Sequence, residues 1–384
     1  MRHFDRRVAG LMILLLCLCQ LAWAETAGKM TVYSVPEWIT KHGNVCLVTD
    51  RRILGEDLNA AGIEAGDRVR VTFLGRSIEM DVARNYSETA TGTILMCITD
   101  DSVQLAINMG DFASEYLADK TVNDDGSLTW KFKEGIEGPV EISVEVIAKG
   151  DGEDTGAVEL TYSNNREDYP DLTDEEYANF RVVATHGMGE GVLYRSSTPL
   201  DPKFGRNVYA DAAMRKAKVA TIVNLVDHPA AVKNYEGYSD SYYSTVNTIE
   251  LGLGMDFDTE EYRNGLAKGL RFIAVHPGPY AVHCREGKDR AGVTIALLEC
   301  FMGASFEEVV SDYMVTFYNY FGIRPGDAQY DEIVENNITV IIKKLFDVAD
   351  PCSADLAEKA ESYIRGIGLT DSEVASLRAN LGSL

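Results

Sequence analysis

Cationic side chains are scarce in this chain: 36 Lys and Arg stand against 60 Asp and Glu in 384 residues, a formal net charge of −24. A surface of that sign repels a phosphate backbone instead of releasing its counterions, which argues against nucleic acid as a partner. Cysteine is sparse as well, with 7 in the whole chain, too few for a scaffold built from disulfides. Pro (10) and Trp (3) are also few. With 46% hydrophobic and 25% charged residues, the composition fits neither a disordered chain, nor collagen, nor a coiled coil. The length leaves room for two domains, each with its own core.

The N-terminus reads as a removable address. Arg2, Arg6 and Arg7 precede an apolar run from Val8 to Leu21, which ends in Ala22-Trp23-Ala24 followed by Glu25. The run is shorter than the roughly 20 residues a spanning helix needs, and the small-x-small ending is that of a signal-peptidase site. Residues 1–24 are therefore expected to be a secretory signal peptide cleaved near Ala24, leaving an exported protein with no stable membrane insertion. Cys17 and Cys19 have no small residue directly before them, unlike a lipid-modified cysteine. Five cysteines remain: Cys46, Cys97, Cys284, Cys300 and Cys352. An odd number in an exported protein means at least one thiol outside a disulfide. Cys46 and Cys97 lie in β-like stretches, and pairing and free burial both remain open for them.

From Met30 to about Tyr162 the pattern is of short strands and turns. Strands are expected at Val45–Thr49, Arg68–Phe73, Thr93–Thr99, Gln104–Asn108, Leu128–Phe132, Glu141–Ile147 and Ala157–Tyr162. The last two flank Lys149-Gly150-Asp151-Gly152, a hairpin signal. A polar stretch at 163–170 suits a linker, which gives a β-rich domain over 25–165 and a second domain over 166–384.

Beyond the linker the period changes. Val219–Val226 is a nearly continuous apolar run, as in a strand covered on both faces. Tyr262, Leu266, Leu270 and Ile273 recur at helical spacing, and Tyr280–His283 reads as another strand. Val293, Leu297 and Cys300 mark a helix that stops at Gly303. Ser305 and Glu308 form a capping-box pair for the next helix, with Val309, Val310, Tyr313, Met314 and Phe317 on its core face. Strands alternating with helices predict an α/β layer around a mostly parallel sheet.

The chemistry concentrates in His283-Cys284-Arg285-Glu286-Gly287-Lys288-Asp289-Arg290-Ala291-Gly292. A strand ends at the cysteine and a helix opens near Arg290, so the intervening amides and the positive helix end converge on one point, an anion cradle. Cysteine in such a field favours the thiolate, the nucleophilic form. Arg290 offers a planar fork to two phosphate oxygens, Lys288 adds a point charge, and Arg285 another toward the rim. Gly287 permits the tight turn that aims the amides inward. Residues 285–290, Arg285, Glu286, Gly287, Lys288, Asp289 and Arg290, are thus the candidate phosphate-binding set. The reaction they suit is displacement at phosphorus by sulfur, then hydrolysis of the phosphocysteine. Nothing in this scheme calls for a metal or cofactor.

This loop, with His before the cysteine, five residues from Cys284 to Arg290, and Gly292, resembles the signature of the cysteine-dependent protein tyrosine phosphatase superfamily. The Gly287-Lys288-Asp289-Arg290 run is similar to the bacterial tyrosine and dual-specificity phosphatases that also accept phosphoinositides. The resemblance extends through Asn179-Phe180-Arg181, Gly191 to Ser196, Asp312-Tyr313-Met314, Gly368-Leu369-Thr370 and Leu377-Arg378, about 177–384 in all. It implies an α/β, tyrosine-phosphatase-like, mostly parallel sheet flanked by helices, preceded by the β-rich domain. It also implies phosphorylated protein, phosphoinositide or another phosphomonoester as substrate.

Two departures stand out. Ala291 replaces the Ser or Thr whose hydroxyl helps the sulfur leave, and Glu286 places an acid inside the loop. These keep open an alternative, a catalytically weak module that captures phosphorylated ligands. His283 is expected to hold the loop by hydrogen bonding, and Arg181 and Arg195 to make structural ion pairs. For the general acid the candidates are Asp289 first, then Asp256 and Asp258 on the segment before the Tyr262 helix, with Asp227 after the Val219–Val226 strand. Asp258 also fits a helix N-cap, with Glu261 completing a capping box. In the N-terminal half, His42 to Val45, Gly62 to Asp67 and Gln104 to Gly110 with Phe112-Ala113-Ser114 are similar to the β domain of the S-adenosylmethionine hydroxide adenosyltransferase family. The similarity covers about 42–118 without the domain that completes that family's site, which favours a scaffold or partner-recognition role over a retained nucleotide-binding function.

Overall fold

The computed structural model describes residues 28–99, 101–123, 128–150 and 160–382; the expected signal segment, with Cys17 and Cys19, lies outside them. The chain forms two compact units. The described residues of 28–86, 93–121 and 129–150 make the first, and 87–92, 122, 123, 128 and 160–382 the second. The polar stretch at 163–170 therefore groups with the second unit. Arg166 folds it over, donating to the carbonyls of Tyr169 and Leu172.

The first unit carries strands β1 (Lys29–Ser34), β2 (Val45–Cys46), β3 (Arg68–Phe73), β4 (Arg76–Ala83), β5 (Ile94–Thr99), β6 (Ser102–Ile107), β7 (Ala118–Val122), β8 (Leu128–Phe132) and β9 (Val140–Ala148), with short helices α1 (Gly55–Ala60) and α2 (Phe112–Tyr116). Seven strands form one sheet in the order β1-β9-β3-β4-β5-β6-β2, and β7 pairs with β8. Alternation decides the faces. In β3, Val69, Val71 and Phe73 are buried, while Arg68 and Arg70 face solvent and pair across the ladder with Asp81 and Glu79.

Several expected strands need correction here. Val45–Thr49 shortens to Val45–Cys46, because Val48 leaves the ladder to form isolated bridges with Tyr33 and Arg52. Residues 160–162 are not a strand, and β9 pairs with β1 and β3, so the hairpin expected at 149–152 is not what partners it; residues 151–159 lie outside the described ones. Neither Cys46 nor Cys97 is in a disulfide. Each pairs with Gln104 of β6, from opposite sides. Two strand spacings, roughly 9.5 Å, separate them, beyond the Cα distance a disulfide tolerates.

The second unit contains β10 (Arg181–Val182), β11 (Leu193–Ser196), β12 (Thr221–Asn224), β13 (Asn247–Glu250) and β14 (Tyr280–His283). Its helices are α3 (Asp174–Tyr177), α4 (Asn207–Lys216), α5 (Pro229–Val232), α6 (Glu260–Val275), α7 (Asp289–Met302), α8 (Phe306–Phe321), α9 (Tyr330–Val334), α10 (Val340–Phe346), α11 (Leu356–Gly366) and α12 (Asp371–Gly382). The sheet order is β10-β11-β14-β12-β13, parallel throughout except for the edge strand β10. The α/β, mostly parallel architecture expected from the sequence is the one present.

On α6, Tyr262, Leu266, Leu270 and Ile273 are all buried; each such side chain contributes about 1.5–3 kcal/mol. Gly303 ends α7 at φ +100°, and Ser305 and Glu308 close the predicted capping box on α8, where Val310 is half-buried instead of core. The N-cap of α6 is Thr259, whose hydroxyl accepts from the Tyr262 amide, and not Asp258. No helix among the described residues is long and apolar enough to cross a membrane.

Candidate active site

β14 is the middle strand of its sheet, flanked by β11 and β12, and all four of its residues are buried. Parallel pairing brings Ser196, Asn224 and His283 to the same carboxyl edge, the place where open α/β sheets hold their ligands. The chain leaves β14 at Cys284, turns through five residues and enters α7 at Asp289.

The turn's carbonyls are all drawn outward. Arg285 O accepts from the Thr198 amide (3.0 Å), Glu286 O from Asn179 Nδ2 (3.0 Å) and Tyr320 Oη (3.0 Å), and Gly287 O from Arg195 Nη2 (2.7 Å). Lys288 O accepts from the Gly292 amide inside the helix (2.8 Å). The amides of Arg285, Glu286, Gly287, Asp289 and Arg290 have no partner among the described residues. A ring with its acceptors satisfied from behind and its donors unspent is an anion site. Gly287 is required in it: φ is +71°, and a Cβ would stand 2.5 Å from the Ser196 carbonyl oxygen.

Cys284 and Arg290 border the ring with only 2% and 4% of their surface exposed. Arg290 spends Nη1 on the Leu253 carbonyl at 2.9 Å, and its Nε is buried without a hydrogen-bond partner. His283 is fully buried, with Nδ1 3.3 Å from the Cys284 carbonyl oxygen. Burial pushes its pKa down to about 4, against the pull of Asp227, so at neutral pH it is an uncharged loop-holding group.

The scaffold behind the ring is ionic. Asp312 takes Arg181 Nε at 2.9 Å and Arg195 Nη1 at 2.6 Å, so both arginines make the structural ion pairs expected of them. Burial opposes the charge on Asp312, but the two guanidiniums overcome it and hold its carboxyl below the usual range. The nearby buried Glu299 goes the other way, pushed well up by burial and by Asp312. Of the two, Asp312 is shifted toward the charged form and Glu299 toward the protonated one.

Sequence reasoning did not find Arg206. It is buried, stacked over Tyr177 (4.1 Å) and Tyr320 (4.0 Å), and donates to the Tyr177 carbonyl. Through Tyr320 it backs the Glu286 carbonyl. Tyr162, Asp201 and Leu253 were also missed, because each reaches the loop from a distant part of the chain with no local motif of its own.

The remaining candidates occupy distinct places. Arg285 pairs with Asp201 at 3.1 Å. Glu286 turns away from the ring, accepting from Tyr162 Oη at 2.9 Å and pairing with Lys288 Nζ at 3.3 Å; its partner is Lys288 and not Arg285. Asp289 lies 3.9 Å from Lys288 Nζ, and desolvation, reinforced by Glu286, raises its carboxyl above the usual range. Asp256 is half-buried and accepts from the Asp258 amide, three residues from the Leu253 carbonyl that meets Arg290. Asp258 is exposed, 3.7 Å from Arg263. Asp227 is buried under hydrogen bonds from Tyr235 Oη (2.8 Å) and Asn224 Nδ2 (3.1 Å).

Residues 226–383 match the profile of the tyrosine phosphatase family, a stretch that contains the loop, α7 and α8. Among solved structures, the core catalytic domain of the PP-IP phosphatase Siw14 from S. cerevisiae is similar at 21% identity, over 43% of this chain and 91% of that one, with a TM-score of 0.27. P. aeruginosa TpbA is similar at 16% identity, over 50% of this chain and 87% of that one, with a TM-score of 0.24. An uncharacterized conserved protein from Thermotoga maritima is similar at 18% identity over 32% of this chain, which spans 37% of that protein's length, with a TM-score of 0.23. No curated protein matches the chain.

Proposed function

We propose that the second unit is a cysteine-dependent phosphomonoester hydrolase of the protein tyrosine and dual-specificity type. The observation that carries this reading is the ring itself: its carbonyls are fixed outward, its amides are unspent, and Cys284 and Arg290 sit at its edge. Cys284 Sγ attacks phosphorus. The P–O bond to the leaving group breaks, Asp289 gives that oxygen its proton, and Arg290 with the amides takes up the charge on the equatorial oxygens. Water then attacks the phosphocysteine, Asp289 now accepting the proton, and releases phosphate and the thiolate. Asp256 is the alternative acid.

The substrate class is a phosphorylated protein, a phosphoinositide or another phosphomonoester, met after export. The first unit serves as a scaffold or partner-recognition module. Because Ala291 brings no hydroxyl to the sulfur, breakdown of the phosphoenzyme is the slow step, which is the feature favouring the weaker reading of a phospholigand-capturing module.

The test is phosphate release from p-nitrophenyl phosphate by the full chain under reducing conditions with chelator present. The expected result is turnover that vanadate inhibits and that falls about 10⁴-fold or more in Cys284→Ser. Turnover that survives this substitution, or none in the wild type, contradicts the proposal.

A further inference from the structure

Three cations stand on the loop, and the structure disposes of them unequally. Arg285 is joined to Asp201 at 3.1 Å, and the Asp201 carboxylate is itself anchored by the Lys203 amide at 3.0 Å. Lys288, with 8% of its side chain exposed, is joined to Glu286 at 3.3 Å, and Glu286 is pinned from behind by Tyr162 Oη at 2.9 Å. Arg290 differs. Among the described residues it has no carboxylate partner, only the neutral Leu253 carbonyl, and its Nε is unspent.

We infer that the loop is built for an isolated phosphate: two of its three cations are neutralised by carboxylates of the protein, leaving Arg290 and the amide ring for one phosphoryl group. Substrates that carry a single phosphate are therefore selected over those with phosphates on neighbouring carbons. This inference rests on the phosphatase reading above and names its substrate class. A second phosphate beside the first finds Arg285 already neutralised by Asp201 and Lys288 by Glu286, and so has no free cation to offset its charge. Asp201 and Glu286 are specificity-determining residues in this account.

The experiment compares kcat/KM for p-nitrophenyl phosphate and for inositol hexakisphosphate in the full chain and in Asp201→Asn and Glu286→Gln. Both carboxylates are half-buried, but Asp201 lies outside the loop and Glu286 within it, so one variant remains informative if the other fails to fold. The wild type is expected to favour the aryl phosphate by about tenfold or more, and each folded variant to shift the ratio several-fold toward the inositol phosphate. A wild type that prefers the inositol phosphate, or variants that leave the ratio unmoved, overturns the inference. If neither compound is turned over, the phosphatase reading is what fails. Calorimetric binding of inorganic phosphate against inositol hexakisphosphate in the same proteins then decides the charge accounting alone: no tightening of the hexakisphosphate in the variants overturns it.

Discussion

Asp289 shows how one residue's chemistry is set by its surroundings. Desolvation and the neighbouring Glu286 raise its carboxyl, while Lys288 and Arg290 pull the other way, with the upward influences ahead. A carboxyl shifted up stays protonated to higher pH than an ordinary aspartate, so an acid in this role sustains phosphoryl transfer to the cysteine until pH rises through its pKa and then loses it. Asp289→Asn is expected to lower kcat/KM about 100-fold and to remove that alkaline fall, with a larger loss for phenyl phosphate than for p-nitrophenyl phosphate, whose leaving group needs the proton less. An unchanged alkaline limb, read from the pH profile of kcat/KM, transfers the role to Asp256. The sequence puts Asp289 in the loop but is silent on its shift. That depends first on burial and then on Glu286, whose orientation is fixed by Tyr162, 124 residues away.

At the scale of elements, what was legible is what local pattern encodes. Tyr280–His283 is the strand expected, Gly303 the helix stop and Ser305 with Glu308 the capping box, because each follows from hydrophobic period or cap chemistry within a few residues. The misplaced cap at Asp258 has a simple cause. Thr259, one residue on, has its hydroxyl within reach of the Tyr262 amide, while the Asp258 carboxylate is taken by Arg263. The bracing between elements was only partly legible, since Arg181 and Arg195 were recognisable as ion-pairing residues but the single Asp312 that joins β10 and β11 to α8 becomes evident only in three dimensions. Asp312→Ala leaves two buried guanidiniums without their carboxylate and is expected to cost about 3–5 kcal/mol, measured by urea unfolding. Its folded carboxyl is lowered, so its contribution is present above the ordinary carboxylate range and is lost as pH falls through the folded value; the wild-type advantage over the variant must shrink on acidification. An advantage that grows instead contradicts the ion-pair account.

Over the whole molecule, five cysteines lie among the described residues and none is in a disulfide; four of them are buried. Sequence counting left Cys46 and Cys97 undecided, and strand register resolves the question by placing both opposite Gln104. Alkylation of the denatured, unreduced protein is therefore expected to label Cys46, Cys97, Cys284, Cys300 and Cys352; a cross-linked peptide joining Cys46 to Cys97 contradicts the register. A net charge of −24 surrounds a site that must attract an anion, so attraction has to be local, from the helix end, the unspent amides and Arg290.

Cys284 as the atom that takes the phosphoryl group is tested most directly by acid quench of the full chain during turnover of an aryl phosphate, followed by mass mapping. The account predicts that, with Ala291 next to the loop arginine, the intermediate accumulates as a phosphorylated peptide whose modification maps to Cys284 and is missing in Cys284→Ser. Phosphate released at the wild-type rate with no label on that sulfur, or label on another side chain, would contradict it.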